Sequence, residues 1–109
     1  MSEASHRFRK AAVERVLQGP AKTSGDERRA AFDNKGVPAA GAALIDKVAK
    51  NAWKVTDEDV AAAKAAGLSE DAIFELTVSA AMGQATRQID SALAAVDAAF
   101  NPNAAKESA

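Results

Sequence analysis

The sequence predicts an all-α protein, a helical bundle of about five helices that ends in a long C-terminal helix. Of its 109 residues, 29 are alanine and only 23 are larger apolar residues, and no strand pattern is visible. Alanine is the strongest helix former, but each alanine buries little surface. Because the core is thin, we expect the protein to gain stability by self-association as a homo-oligomer.

The first two predicted helices have clear boundaries. An apolar stripe over residues 5–18 predicts a helix, and Gly19 and Pro20 end it. Ser24 and Glu27 have the spacing of a capping box, which predicts a short charged helix. The apolar residues that this helix carries inward are Ala31 and Phe32.

The third and fourth helices are predicted from Pro38 onwards. Pro38 suits a first helical turn, Asp46 and Lys50 form an i,i+4 ion pair, Trp53 closes the third helix and Thr56 caps the fourth. We expect three large aromatic residues in the core, with an apolar pocket beside them as an alternative. These residues are Phe32, Trp53 and Phe74.

A tight turn precedes the long helix. Gly67 supplies the left-handed conformation that ends the fourth helix, Ser69 caps the fifth, and Leu68 and Ile73 form a hydrophobic staple. A helix over residues 70–99 would be roughly 45 Å long, which favours an additional interface role. Its apolar positions recur every three or four residues, as expected for a helix: Phe74, Val78, Ala81, Ala85, Ile89, Ala92, Val96 and Phe100. Ser79 and Gly83 predict a close approach by another helix.

Charge and composition limit the function classes. Residues 1–55 carry net charge +5 and residues 56–109 carry −6, which predicts complementary packing within or between subunits. The basic N-terminal segment is too sparse for nucleic acid. The absence of cysteine excludes thiol chemistry and fits a cytoplasmic location, and neither a signal peptide nor a membrane span is visible. We expect no cofactor, no metal site, no nucleic-acid partner and no membrane partner.

Three segments carry a family resemblance: Val55-Thr56-Asp57-Glu58-Asp59-Val60, Ala65-Ala66-Gly67-Leu68-Ser69-Glu70-Asp71-Ala72-Ile73 and Met82-Gly83-Gln84-Ala85-Thr86-Arg87. Together they resemble the carboxymuconolactone decarboxylase and alkyl hydroperoxidase D-like family over residues 38–100. The resemblance implies an all-helical, oligomeric fold. The alkyl hydroperoxidase D-like core that it implies covers residues 38–100, and residues 1–37 precede this core as an N-terminal helical arm. Residues 101–109 begin with Asn-Pro and contain no large apolar residue, so we expect a disordered tail there.

One departure from the family changes the expected chemistry. The redox members carry a Cys-x-x-Cys-x-x-x-His motif upstream of the turn, and ungapped alignment from Gly67 places Ala52, Val55 and Asp59 at those three positions. The acidic relay residue would fall near Ala40. The resemblance therefore implies a divergent member without thiol peroxidase activity. The decarboxylase branch is associated with a histidine-containing site, and this region has no histidine.

The candidate ligand-binding residues lie on the long helix and are Arg87, Gln84, Glu75 and Gln88. With Ser91 they form a polar strip in which Arg87 could bind a small organic acid through its guanidinium group. The alternatives are a hydrogen-bond network at a subunit interface, or an ion pair of Arg87 with Asp90, Glu75 or another carboxylate. His6 and the acidic run 57–59 are expected to be surface groups. No catalytic residue is assigned.

The sequence leaves three functional hypotheses. The first is a non-redox relative of the family that binds a small molecule or a partner protein. The second is a decarboxylase or isomerase that uses Arg87 and Glu75 on a small organic acid. The third is a structural protein assembled with another helical protein.

Overall fold

The computed structural model describes residues 3–101, and this part of the chain is helical, without any strand. The predicted all-α class, with five helices and a long last helix, is confirmed. The helices are α1 (Glu3–Gln18), α2 (Gly25–Asp33), α3 (Ala39–Asn51), α4 (Asp57–Ala65) and α5 (Glu70–Phe100), with a short 3₁₀ turn (Ala52–Lys54) after α3. The predicted disordered tail lies, apart from Asn101, outside the described residues.

The predicted caps hold the helix boundaries in place. Ser24 and Glu27 form the expected capping box of α2, and Thr56 forms another at α4, with Asp59 as its partner. Ser69 accepts a hydrogen bond from a backbone N–H in the first turn of α5. Each cap pairs backbone groups that the helix itself leaves without a partner.

The turn between α4 and α5 also forms as predicted. Gly67 has φ +113°, a conformation that glycine adopts without a steric penalty. Leu68 packs against the core that contains Ile73. This turn sets the direction in which α5 leaves α4.

The core surrounds the N-terminal half of α5, which packs against α2, α3 and α4. Its fully or nearly buried apolar residues are Ala31, Leu44, Ile45, Val48, Ala63, Ile73, Leu76 and Ala80. The most extensive helix packing is between α2 and α5. Helix α2, which lies in the segment expected to be an arm, therefore contributes directly to this core.

Small residues allow α2 and α5 to approach closely, as predicted. Ser79 and Ala80 are fully buried, and a Cβ atom added to Gly83 would lie 1.9 Å from the carbonyl oxygen of Phe32. No real Cβ atom could occupy that position. Gly83 is therefore the point at which the end of α2 rests on α5.

Two of the three predicted core aromatics are on the surface. Phe32 is buried, but Trp53 is 81% exposed and Phe74 is 70% exposed, so the prediction was wrong for both. Trp53 lies on the 3₁₀ turn, outside the apolar stripe of α3, and the ammonium group of Lys54 lies 4.9 Å from its ring. Phe74 follows the buried Ile73, and consecutive helical residues point about 100° apart.

Ion pairs join the basic and acidic halves of the chain. Arg9 on α1 contacts Asp90 on α5 at 2.7 Å, and Lys47 on α3 contacts Asp59 on α4 at 2.8 Å. The predicted charge complementarity thus occurs within one chain. The predicted i,i+4 pair between Asp46 and Lys50 also forms, at 2.8 Å.

The C-terminal half of α5 extends beyond the core. The last buried residue of α5 is Gly83, and residues 84–100 are exposed or half-buried. These residues add about 25 Å of helix, consistent with a longest molecular dimension of 53 Å. Most of the predicted apolar stripe of α5 is therefore on the surface. Within the described range, no helix has the length and apolar character required to cross a membrane.

Candidate functional site

Glu75, one of the four predicted ligand-binding residues, fastens the segment between α1 and α2 to α5. Its carboxylate accepts hydrogen bonds from the backbone N–H of Lys22 (2.9 Å) and from the N–H and hydroxyl of Thr23 (both 2.7 Å). The hydrogen bonds from the Lys22 and Thr23 N–H groups hold the pKa of Glu75 below its ordinary value. The carboxylate is thus charged and occupied by the protein's own backbone.

A buried arginine reinforces the same junction. Arg28 on α2 is only 5% exposed, and its guanidinium donates to the carbonyl oxygens of Thr23 (3.2 Å) and Leu17 (3.0 Å). The positive charge of Arg28 also contributes to the lowered pKa of Glu75. Sequence reasoning missed Arg28, because nothing in the charged run 26–29 distinguishes the one residue that turns inward.

Arg87 caps the C-terminal end of α2. Its guanidinium donates to the carbonyl oxygen of Phe32 at 2.7 Å, and a second nitrogen lies 3.3 Å from the side-chain oxygen of Gln84. Phe32 is in the last turn of α2, where carbonyl groups lack helical partners and a cation is electrostatically favourable. Arg87 therefore binds a backbone carbonyl, rather than one of the carboxylates considered from the sequence.

Only part of the predicted polar strip is brought together. Gln84 and Gln88 line a shallow groove of about 360 Å³ beside Trp53. Glu75 lies twelve residues before Arg87, which separates them by roughly 18 Å along the helix axis. It lines a different surface depression, next to Lys22. The four predicted residues therefore do not surround one ligand.

An apolar cavity lies elsewhere on the surface, beside Phe74. The sequence allowed an apolar pocket at this residue but did not predict it as the ligand site. The cavity has a volume of about 380 Å³, lies between α3, α4 and α5, and is as open to solvent as the groove beside Trp53. Small-molecule sites typically have volumes of about 300–1,000 Å³ and apolar walls with a few polar groups. The lining residues are Leu44, Val48, Val55, Val60, Lys64, Glu70, Ile73, Phe74 and Thr77.

The charged residues of this cavity form one ion pair. The Lys64 ammonium lies 2.8 Å from a carboxylate oxygen of Glu70, and their side chains are 49% and 82% exposed. The hydrogen bond from Lys64 lowers the pKa of Glu70. Exposed pairs of this kind contribute little to stability, so Lys64 can exchange Glu70 for another anion at small cost.

The three positions that the family resemblance assigns to the redox motif do not form a reactive cluster. Val55 lines the apolar cavity, and Ala52 lines the groove beside Trp53. Asp59 is bonded to Lys47 and to the capping residue Thr56, and the Lys47 hydrogen bond is the main cause of its lowered pKa. Among residues 3–101, no group of three or more His, Cys, Asp or Glu side chains is arranged to hold a metal ion.

Comparison with known proteins adds no further constraint. No family model, curated protein or solved structure matches the chain. The family resemblance therefore depends on the sequence segments described above. The functional argument depends on the geometry of the polar residues of α5 and of the cavity between α3, α4 and α5.

Proposed function

We propose that the chain binds a small, largely apolar organic acid in the cavity between α3, α4 and α5, as a non-redox member of the carboxymuconolactone decarboxylase-like family. The observation that carries this proposal is the combination of aliphatic walls with one lysine among the lining residues. Val55, at a position that the resemblance assigns to a cysteine, forms part of the wall. An apolar side chain there suits binding without thiol chemistry.

The walls determine the apolar part of the ligand. Leu44, Val48 and Ile73 are buried residues of the core and form the inner surface of the cavity. A hydrocarbon chain placed against them leaves water at a gain of about 0.8 kcal/mol for each methylene group. The volume of about 380 Å³ is near the lower end of the usual range for ligand sites, which favours a short chain or a single ring.

Lys64 determines the polar part of the ligand. A carboxylate that enters with its hydrocarbon part against the core can place its charge next to the Lys64 ammonium. It would then replace Glu70, whose side chain is 82% exposed and can return to water. A neutral alcohol of the same size would gain the apolar contacts, and its hydroxyl could accept a hydrogen bond from Lys64, but it would lack the attraction between a carboxylate and the ammonium group.

No observation in the described residues favours the enzyme alternative. That hypothesis required Arg87 and Glu75 to act on one substrate, but each is occupied by backbone groups and the two lie roughly 18 Å apart along α5. The cavity itself offers Lys64, Glu70 and Thr77 as its polar side chains. Binding without turnover is the simpler use of these groups.

A comparison of hexanoate with hexanol tests the proposal. We expect hexanoate to raise the melting temperature of the wild-type chain more than hexanol does, because a ligand that binds only the folded state stabilises it. Lys64→Gln is expected to remove this difference while retaining a response to both compounds. Lys35→Gln is the matched control, since Lys35 is an exposed lysine that does not line the cavity.

Two results would contradict the proposal. One is a wild-type melting temperature that neither compound changes at millimolar concentration. The other is an equal loss of the hexanoate preference in Lys64→Gln and Lys35→Gln, which would indicate a general effect of net charge. Formation of a product from the acid would instead support the enzyme alternative.

A further inference from the structure

Trp53 is the only tryptophan of the chain, and most of its surface is open to solvent. It is 81% exposed, although tryptophan is on average a highly buried residue type. It lies on the 3₁₀ turn that follows α3, and it lines the shallow groove of about 360 Å³ described above. We call this feature the Trp53 groove. An exposed indole ring beside a groove offers a flat apolar surface against which another planar ring can stack.

Small side chains keep the space beside the indole ring open. Four alanines line the Trp53 groove, two from the segment at the end of α3 and two from α5. They are Ala49, Ala52, Ala81 and Ala85. A methyl group fills little volume, whereas a larger side chain at these positions would occupy part of the groove. The alanine-rich composition of the chain thus leaves a space near the lower end of the usual size range for ligand sites.

The polar groups of the Trp53 groove carry a positive charge and no negative charge. Lys50, Gln84 and Gln88 line it, and its lining residues in the described chain include no carboxylate. A guanidinium nitrogen of Arg87 lies 3.3 Å from the side-chain oxygen of Gln84, so the amide nitrogen of Gln84 is left to donate elsewhere. The exposed amide of Gln88 offers both a donor and an acceptor. The groove therefore suits an anion that carries a flat ring with a polar edge.

Lys50 can turn to a new anion without leaving its present partner unpaired. Its ammonium lies 2.8 Å from a carboxylate oxygen of Asp46, and the two side chains are 65% and 50% exposed. An exposed pair of this kind contributes little to stability. Asp46 also accepts a hydrogen bond from the amide of Asn34 at 2.9 Å, and this bond remains when Lys50 moves. Lys50 precedes Trp53 by three residues, about one helical turn, so an anion bound to Lys50 lies near the indole ring.

We propose that the Trp53 groove binds an adenine nucleoside monophosphate, as a second ligand site that is separate from the cavity of the proposed function. The adenine base stacks on the indole ring of Trp53, as bases stack on aromatic side chains in general. The amide of Gln88 pairs with the N6 and N7 atoms of adenine, the edge that a glutamine amide matches with two hydrogen bonds. The ammonium of Lys50 binds the phosphate as a point charge.

Lys54 and the small number of stacking groups favour a single nucleotide over a strand. The Lys54 ammonium lies 4.9 Å from the centre of the indole ring, over one of its two faces, so a base can stack on the other face. Lys54 also adds a second positive charge beside the ring, which attracts a phosphate. One aromatic ring and two lysines match one base and one phosphate. A nucleic-acid strand would need further rings and a longer row of cations.

Trp53 fluorescence reports binding directly, because the chain has no other tryptophan and no tyrosine. We expect adenosine monophosphate to quench this fluorescence in a saturable way at millimolar concentration or below, and calorimetry to give one molecule per chain. Ribose phosphate lacks the base, and adenosine lacks the phosphate. Each should bind at least about fivefold more weakly than adenosine monophosphate, because each loses one of the two main contacts.

Four variants test the assigned contacts, each checked for folding by circular dichroism. Lys50→Gln should weaken binding of adenosine monophosphate about fivefold and leave adenosine binding unchanged. Lys35→Gln is the matched control, because Lys35 is an exposed lysine outside the groove. Trp53→Ala, followed by calorimetry, should weaken binding at least about fivefold. Gln88→Ala should reduce the preference for adenosine monophosphate over uridine monophosphate.

The two ligand sites are tested independently. Lys64 lines the cavity between α3, α4 and α5 but not the Trp53 groove. Lys64→Gln should therefore bind adenosine monophosphate as tightly as the wild type, and hexanoate should not displace the nucleotide. Failure of hexanoate binding would leave the nucleotide site standing, and failure of nucleotide binding would leave the cavity standing.

Any of four results would overturn the proposal. The first is an absence of binding at millimolar nucleotide. Equal affinities for adenosine monophosphate and ribose phosphate would show that the base does not stack on the indole ring. An unchanged calorimetric affinity in Trp53→Ala would place the binding site elsewhere. An affinity per nucleotide that rises from adenosine monophosphate to a short oligoadenylate would indicate a single-stranded nucleic acid as the ligand.

Discussion

The substitution Gly83→Ala tests the close packing of α2 on α5. The added Cβ atom would lie 1.9 Å from the carbonyl oxygen of Phe32, so the end of α2 must move away by more than about 1 Å. Such overpacking costs about 1–3 kcal/mol, and the movement also weakens the hydrogen bond from Arg87, for about 1 kcal/mol more. The higher helix propensity of alanine offsets up to about 1 kcal/mol of this loss. We therefore expect the free energy of unfolding to fall by about 2 kcal/mol.

Urea unfolding followed by circular dichroism measures this change, with Gly41→Ala as the matched control. Gly41 is also a buried helical glycine, but its added Cβ atom would crowd only the flexible end of Leu68, at 3.1 Å, and would lie at ordinary contact distances from Val37 and Leu76. We expect Gly41→Ala to change the free energy of unfolding by less than about 1 kcal/mol, since propensity and crowding nearly cancel. Equal stability of the two variants would refute the view that Gly83 fixes the α2–α5 distance.

Three further predictions concern residues outside the cavity. Glu75→Gln should lower the free energy of unfolding by about 1–2 kcal/mol at pH 7. Since the pKa of Glu75 is lower in the folded chain, its contribution to stability is present above its ordinary pKa of 4.5 and is lost as the pH falls through the lowered value. The free energies of unfolding of the wild type and Glu75→Gln, measured in urea, should therefore converge in acid. Arg87→Met should reduce stability by about 1 kcal/mol, because the hydrogen bond to the Phe32 carbonyl oxygen is lost. Hexanoate affinity, measured by calorimetry, should not change; a large loss of affinity would show that Arg87 is a ligand residue. Trp53→Ala should change stability by less than about 0.5 kcal/mol, and acrylamide should quench Trp53 fluorescence in the folded wild type; a protected indole would show that another surface covers it.

Local signals in the sequence determined most helix boundaries. Capping residues such as Ser24 and Thr56, and Gly67 at the turn, act through neighbouring backbone groups, so their spacing is sufficient to predict them. The close contact at Ser79 and Gly83 was also predictable, because a helix can approach closely only where side chains are small. These features depend on residues a few positions apart.

Features that depend on distant segments were not predictable in the same way. The polar strip on α5 suggested one binding site, but Glu75 and Arg87 contact different parts of the α1–α2 region, 52 and 55 residues away in sequence. Periodicity placed Phe74 on an apolar stripe without showing which face of α5 would be buried. The cavity requires the relative positions of three helices, which no single segment encodes.

Calorimetric titration of the wild-type chain with straight-chain carboxylates of increasing length tests the proposed ligand site most directly. If the hydrocarbon part enters the cavity between α3, α4 and α5, one molecule should bind per chain. Each added methylene should then tighten binding about fourfold, from the gain of about 0.8 kcal/mol per buried methylene, until the volume of about 380 Å³ is filled. An affinity that does not change with chain length, or an absence of binding throughout the series, would contradict the account.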